Sequence, residues 1–128
     1  MKKMFVLILS VFMPMMVLGQ ELSVESFYLA ETDLTANTRG TMEYDQNGNV
    51  CALIKIKTPY DGFIFDVGVF GVIAVKRVGE EIWVYVPYGI RKITVSHPEL
   101  GIVRDYAFPC KIDKGRVYVM TLLNGDEV

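Results

Sequence analysis

Apolar and polar residues alternate along much of the chain, and no segment sustains a 3.6-residue period. In residues 50–58, Val50, Ala52, Ile54 and Ile56 share one parity, while Leu53, Lys55 and Lys57 share the other. Successive side chains of a strand point to opposite faces, so the first set is assigned to the core and the second to the outside. Residues 81–87 repeat the pattern, with Ile82, Val84 and Val86 inward and Trp83 and Tyr85 outward. In residues 116–123 both parities are apolar: Val117, Val119 and Leu123 against Tyr118, Met120 and Leu122. A strand apolar on both faces is either central and covered or awaits a partner.

Short runs rich in Val, Ile, Phe and Tyr, bounded by Gly, Pro, Asn and Asp, extend this reading along the chain. The candidate strands are 22–30, 40–44, 51–58, 62–67, 70–78, 81–87, 92–97, 102–108 and 116–123. Turn signals recur every 8–12 residues or so, the rhythm of all-β sandwiches and barrels. The predicted fold is an all-β, antiparallel β-sandwich of about 7–9 short strands, immunoglobulin-like in layout.

One connection invites a chemical reading. Asp45, Asn47 and Asn49 fall at every second position, as the first ligands of a calcium loop do. Such a loop also needs Gly at its sixth position and Glu at its twelfth. Val50 and Ile56 stand there, and both flanks read as strands. Asn47-Gly48 instead predicts a tight type I′ hairpin turn, so no metal is expected.

The N-terminus adds a destination. Met1-Lys2-Lys3 precedes an apolar run from Met4 to Gly19, 16 residues interrupted only by Ser10 and Pro14. This is short of the ~20 residues that cross a bilayer as a helix. It reads as a signal peptide, residues 1–19, cleaved before Gln20. Residues 20–128 then form one domain, exported to the periplasm or cell surface, with no stable membrane span after cleavage. Losing Lys2 and Lys3 leaves 11 basic against 15 acidic residues, a net charge of −4. That balance argues against nucleic-acid binding, which needs a basic face. Export permits a disulfide between Cys51 and Cys110, and two separate buried thiols are the alternative.

Candidate chemistry is sparse. His97 is the sole histidine and stands before Pro98, as a turn residue closing a strand. No Gly-x-Ser-x-Gly, His-Glu-x-x-His or phosphate-loop pattern occurs, so no catalytic residue, metal or cofactor is assigned. Asp66, between Phe65 and Val67, is the one carboxylate in a strongly apolar setting, and alternation turns it outward. Trp83, Tyr85 and Tyr88 are the candidate binding residues, since flat aromatic rings on a sheet stack on sugars or bury at interfaces. The same rings also suit a face lying under a crossing loop. Lys55, Lys57, Lys76-Arg77 and Arg91-Lys92 read as solvated edge charges, with an anion site as the alternative.

Pro87-x-Gly89, the alternating "RKITVSHP", the turn at 98–101 and the closing strand after Lys114-Gly115 lie within residues 83–123. This half resembles a PEGA-type β-sandwich module. From "LSVESFYLAETDLTANTRGTMEYDQNGN" onward the chain also resembles an N-terminal segment of secreted Gram-negative bacterial proteins. Those proteins carry PEGA, tetratricopeptide or formylglycine-generating-enzyme-like domains. The resemblance implies an extracytoplasmic, non-enzymatic role in envelope attachment or assembly and carries over no catalytic residues. The expected function is a non-catalytic module that binds or spaces cell-envelope components, protein or glycan. Two alternatives stand beside it: an envelope polysaccharide-processing enzyme using acidic residues such as Asp66, and an assembly subunit pairing through a sheet edge.

Overall fold

The alternation in residues 50–58 and 81–87 becomes two neighbouring strands whose inward residues meet in register. Ile54 lies beside Val84 on one side and Tyr118 on the other, and Ile56 lies between Ile82 and Met120. The computed structural model describes residues 22–124, and the signal-peptide expectation for residues 1–19 falls outside them.

Eight strands run through the described residues: β1 (Ser23–Leu29), β2 (Ala52–Lys57), β3 (Ile64–Asp66), β4 (Ala74–Val78), β5 (Glu81–Val86), β6 (Lys92–His97), β7 (Gly101–Ala107) and β8 (Val117–Leu123). They form two sheets, ordered β1-β8-β2-β5-β4 and β3-β6-β7. The predicted all-β sandwich is therefore present. Neighbours are antiparallel except β2 and β8, which pair in parallel. This departs from the purely antiparallel expectation. The chain between β2 and β8 passes through the second sheet, so no hairpin fixes their relative direction.

Between the sheets lies the main core. The large sheet contributes Ala52, Ile54, Ile56, Ile82, Val84 and Val86, and Ile93 and Val95 come from β6 opposite. Full burial of each large aliphatic side chain contributes about 1.5–3 kcal/mol. One end is closed by aromatic rings: Phe27 stacks on Tyr118 with centroids 5.7 Å apart and tilts against Phe108 at 4.9 Å. Of the two outcomes open to a strand apolar on both faces, β8 takes the covered one: it lies between β1 and β2, and Val117, Tyr118, Val119 and Met120 are all buried.

A second, smaller core lies on the outer face of the large sheet. Ala36, Cys51, Leu53, Tyr85 and Val117 are buried there, with Ala30, Ile73, Ala74 and Trp83 packed around them. The assignment of Leu53 and Tyr85 to the solvent side is thus corrected. Alternation placed them on the right face, but the segment between β1 and β2 crosses that face and covers them.

That covering segment is held by turns. A 3-10 turn, Thr35–Asn37, puts Ala36 into the small core. The expected strand at 40–44 does not form. The Thr38 carbonyl accepts the N–H groups of Thr41 and Met42 at 3.1 and 2.9 Å, and the Thr41 hydroxyl donates to the Thr35 carbonyl at 2.7 Å. These local bonds satisfy the backbone in place of a ladder. Only Tyr44 and Val50 form an isolated bridge.

A salt bridge anchors the segment to the sheet: the Lys55 ammonium lies 2.7 Å from Asp33 Oδ2 and donates to Thr35 Oγ1 at 3.0 Å. Partial burial opposes ionisation of Asp33, but the hydrogen bonds from Lys55 and Thr35 outweigh it and hold the carboxyl below its ordinary 3.8. A depressed folded-state pKa means stability that is present above the unfolded value and lost as pH falls through the folded one. Lys55→Met is therefore expected to cost about 2 kcal/mol near neutrality. The penalty should shrink as pH drops below 3.8. Urea midpoints of both proteins at neutral pH and well below the carboxylate range measure it. An equal penalty at both would mean that Lys55 acts only through Trp83, whose ring centroid lies 4.7 Å from its ammonium.

Candidate functional site

The segment around Asn47-Gly48 is a corner, of a different class from the one predicted. Asp45 N–H donates to the Asn49 carbonyl at 2.8 Å, and Gly48 N–H to the Asp45 carbonyl at 3.1 Å. Asp45 Oδ1 accepts the N–H groups of Asn47 and Asn49, both at 2.9 Å. Gly48 takes φ +83°, whereas Asn47 stays at negative φ. A type I′ turn needs both central residues positive. The tip is instead a type I turn closed by a glycine bulge, with the Asp45 carboxylate replacing a backbone acceptor. Among the described residues no group of three or more His, Cys, Asp or Glu side chains is placed to hold a metal.

This tip forms one rim of an open-sided cleft of about 200 Å³. Phe70 and Tyr88 form its aromatic walls, Ile73 and Pro87 its base, and Asp45, Gln46 and Asn47 its polar rim. Phe70 is 66% exposed and Tyr88 44%. The Gln46 and Asn47 side-chain amides are exposed and make no hydrogen bond within the described residues. Lys114 ties the rim down: its ammonium donates to Asn49 Oδ1 at 3.0 Å and stands 4.6 Å from the Tyr88 ring centroid.

The three predicted binding residues part company here. Tyr88 lines the cleft. Tyr85 does not reach it: the ring is fully buried beneath the covering segment, and its hydroxyl donates to the Thr41 carbonyl at 2.6 Å. Trp83 is half-buried beside the small core, its indole N–H donating to Glu81 Oε1 at 3.0 Å. Phe70 was missed. Its strand was expected to begin at residue 70, but β4 begins at Ala74. Gly68 and Gly71 both take positive φ, at +105° and +71°, and turn the intervening Val69-Phe70 outward. The signal lay in "DVGVFG", two apolar residues between glycines.

The other candidates serve structural ends. Asp66 is exposed and its Oδ1 accepts the Gly68 N–H at 2.9 Å, capping this same turn. His97 closes β6, as expected of a turn residue. Its Nδ1 accepts the N–H groups of Glu99 and Leu100, so Nε2 carries the proton and donates to the Asp61 carbonyl at 2.7 Å. Lys76 pairs with Glu43 at 2.8 Å, and Lys92 lies 3.5 Å from Asp105. Arg77 clasps Asp61 and the carbonyls of Thr58 and Tyr60. Lys55, Lys76, Arg77 and Lys92 are thus drawn to separate internal partners.

Of the two readings left open for the cysteines, the structure has free thiols at both Cys51 and Cys110. Cys51 is sealed in the small core, whereas Cys110 is exposed in the loop before β8. Burial, reinforced by Asp45 and Glu43, pushes the Cys51 thiol up to about 11, so it is neutral and inert at ordinary pH.

Fold and site together define a two-sheet β-sandwich with a lateral aromatic and amide cleft. No protein-family model, curated protein or solved structure matches the chain. No helix among the described residues is long and apolar enough to cross a membrane.

Proposed function

We propose that this protein is an exported, non-catalytic β-sandwich module that binds a cell-envelope component through the cleft at the edge of its large sheet. The observation that carries the reading is two solvent-exposed aromatic residues lining one cleft with two unengaged amides. Exposed aromatics of this size are retained at binding surfaces, where they contribute large contact area at small entropic cost. The rim is pinned by hydrogen bonds from the backbone to Asp45 and by Lys114, so it is organised before a ligand arrives. The leader-like N-terminus and the likeness of residues 83–123 to PEGA-type modules support an extracytoplasmic setting. The acid that the enzyme alternative relied on, Asp66, is spent on a turn.

The test is cosedimentation of the exported protein with purified envelope fractions. Saturable retention is expected for the native protein and at least tenfold weaker retention for the Phe70→Ala/Tyr88→Ala double variant. Both sites are exposed, so this variant is expected to keep the native fold, read by far-UV dichroism and the thermal midpoint. Retention that is absent, or indifferent to the double substitution, would remove the module reading.

A further inference from the structure

We infer that the cleft takes one neutral pyranose ring of a glycan, a refinement that rests on the module reading above. Size sets the first limit. At about 200 Å³ the cleft is smaller than the roughly 300–1,000 Å³ of sites that enclose drug-sized ligands, so it suits a single ring. Wall chemistry sets the second. The face of an aromatic ring is electron-rich, and the axial C–H groups of a pyranose present a weakly positive apolar face to it. Phe70 offers such a surface, and so does the face of Tyr88 that Lys114 leaves uncovered. Their exposure leaves room for a ligand that keeps its glycosidic substituents in solvent.

The rim supplies the third element. A carboxamide carries two donors and an acceptor with two lone pairs, which matches the paired donor and acceptor character of vicinal hydroxyls. Gln46 and Asn47 both line the cleft, and their carboxamides have no hydrogen-bond partner among the described residues. Asp45 fixes the sign of the ligand. Its Oδ1 is committed to the backbone of Asn47 and Asn49, and its negative charge still lies in the lining. A uronate or other acidic sugar would meet like charge there, whereas a neutral hexose would find one more acceptor for its hydroxyls. The cation beside Tyr88, Lys114, is held by Asn49 against the Tyr88 ring.

The experiment is an amide NMR titration of the exported protein with methyl pyranosides: neutral glucose, galactose and N-acetylglucosamine forms, and a glucuronate. Saturable shifts at Gln46, Asn47, Phe70 and Tyr88 are expected with at least one neutral sugar. Affinity for a dozen-atom ligand is expected on the order of millimolar. The Phe70→Ala/Tyr88→Ala variant should lose saturation. Gln46→Ala/Asn47→Ala should weaken binding about tenfold and leave the fold intact. Glucuronate should bind several-fold more weakly than glucose. Silence towards every neutral sugar, or shifts that survive the aromatic double variant, would overturn the assignment. If envelope retention nonetheless depends on Phe70 and Tyr88, the module reading stands and the cleft takes an apolar protein side chain instead. If retention also fails, both readings fall.

Discussion

Tyr85→Ala is expected to cost about 4 kcal/mol, the range seen when a buried aromatic is cut back to alanine. For a domain of this size that would lower Tm by roughly 15–30 °C. The ring is fully buried among Ala36, Cys51, Leu53 and Val117, and Leu53 and Ala74 are its direct neighbours across the sheet. Its loss would leave a cavity between the sheet and the covering segment. Tyr85→Phe should cost about 1 kcal/mol, because only the bond to the Thr41 carbonyl is lost. Thermal or urea unfolding of both variants gives the numbers. Hydrogen exchange localises the effect, since the amides of Met42 and Cys51, bonded to Thr38 and Glu43, lie in the segment that Tyr85 holds down. Alternation alone turns this residue to solvent, and an exposed site would lose less than about 0.5 kcal/mol. The measured penalty therefore decides whether the outer face of the large sheet is a surface or a second core.

That choice marks what the sequence disclosed and what it withheld. Ile54, Ile56, Ile82, Val84 and Val86 were legible because a strict period of two admits one inward set. That β8 needs cover on both faces was legible because both its parities are apolar, though whether the cover is this chain or a partner was not. Period two names a face and says nothing of what crosses it, so Leu53 and Tyr85 were assigned outward. The cover is itself built from side-chain-to-backbone bonds of Thr38 and Thr41, which carry no periodic mark and which made residues 40–44 look like a strand. Asn47-Gly48 announced a corner correctly, but its class depends on where Asp45 spends its carboxylate. The parallel pairing of β2 and β8 joins residues distant in the chain and leaves no local trace. The site was half legible: Tyr88 stood out as an aromatic in a turn, whereas Phe70 was absorbed into a strand because its flanking glycines were not read as a loop.

Tyr118→Ala is expected to be at least as damaging, at about 4–5 kcal/mol, and by a different route. Tyr118 belongs to an interior strand, is 1% exposed and carries the ring on which Phe27 stacks. Its hydroxyl also organises the loop before β8, accepting the Asp113 N–H at 2.9 Å and donating to the Lys111 carbonyl at 2.8 Å. Burial, as the largest influence, raises the pKa of the phenol, so the hydroxyl keeps its proton and both bonds across the ordinary pH range. The two roles separate in two variants. Tyr118→Phe keeps the stack and strands the two backbone groups, at about 1–3 kcal/mol. Phe27→Leu keeps the loop bonds and loses the ring pair, at about 1 kcal/mol beyond the area lost. Tyr118→Phe should speed exchange of the Asp113 amide, and Phe27→Leu should leave it protected. Because the stack and the loop bonds share the Tyr118 ring, a double-mutant cycle between the two positions should show coupling. A cycle that closes additively would mean that the Phe27 ring does not hold the Tyr118 hydroxyl in place. The loop that carries Lys114 to the cleft would then be set by its own backbone, with the aromatic end of the core contributing burial alone.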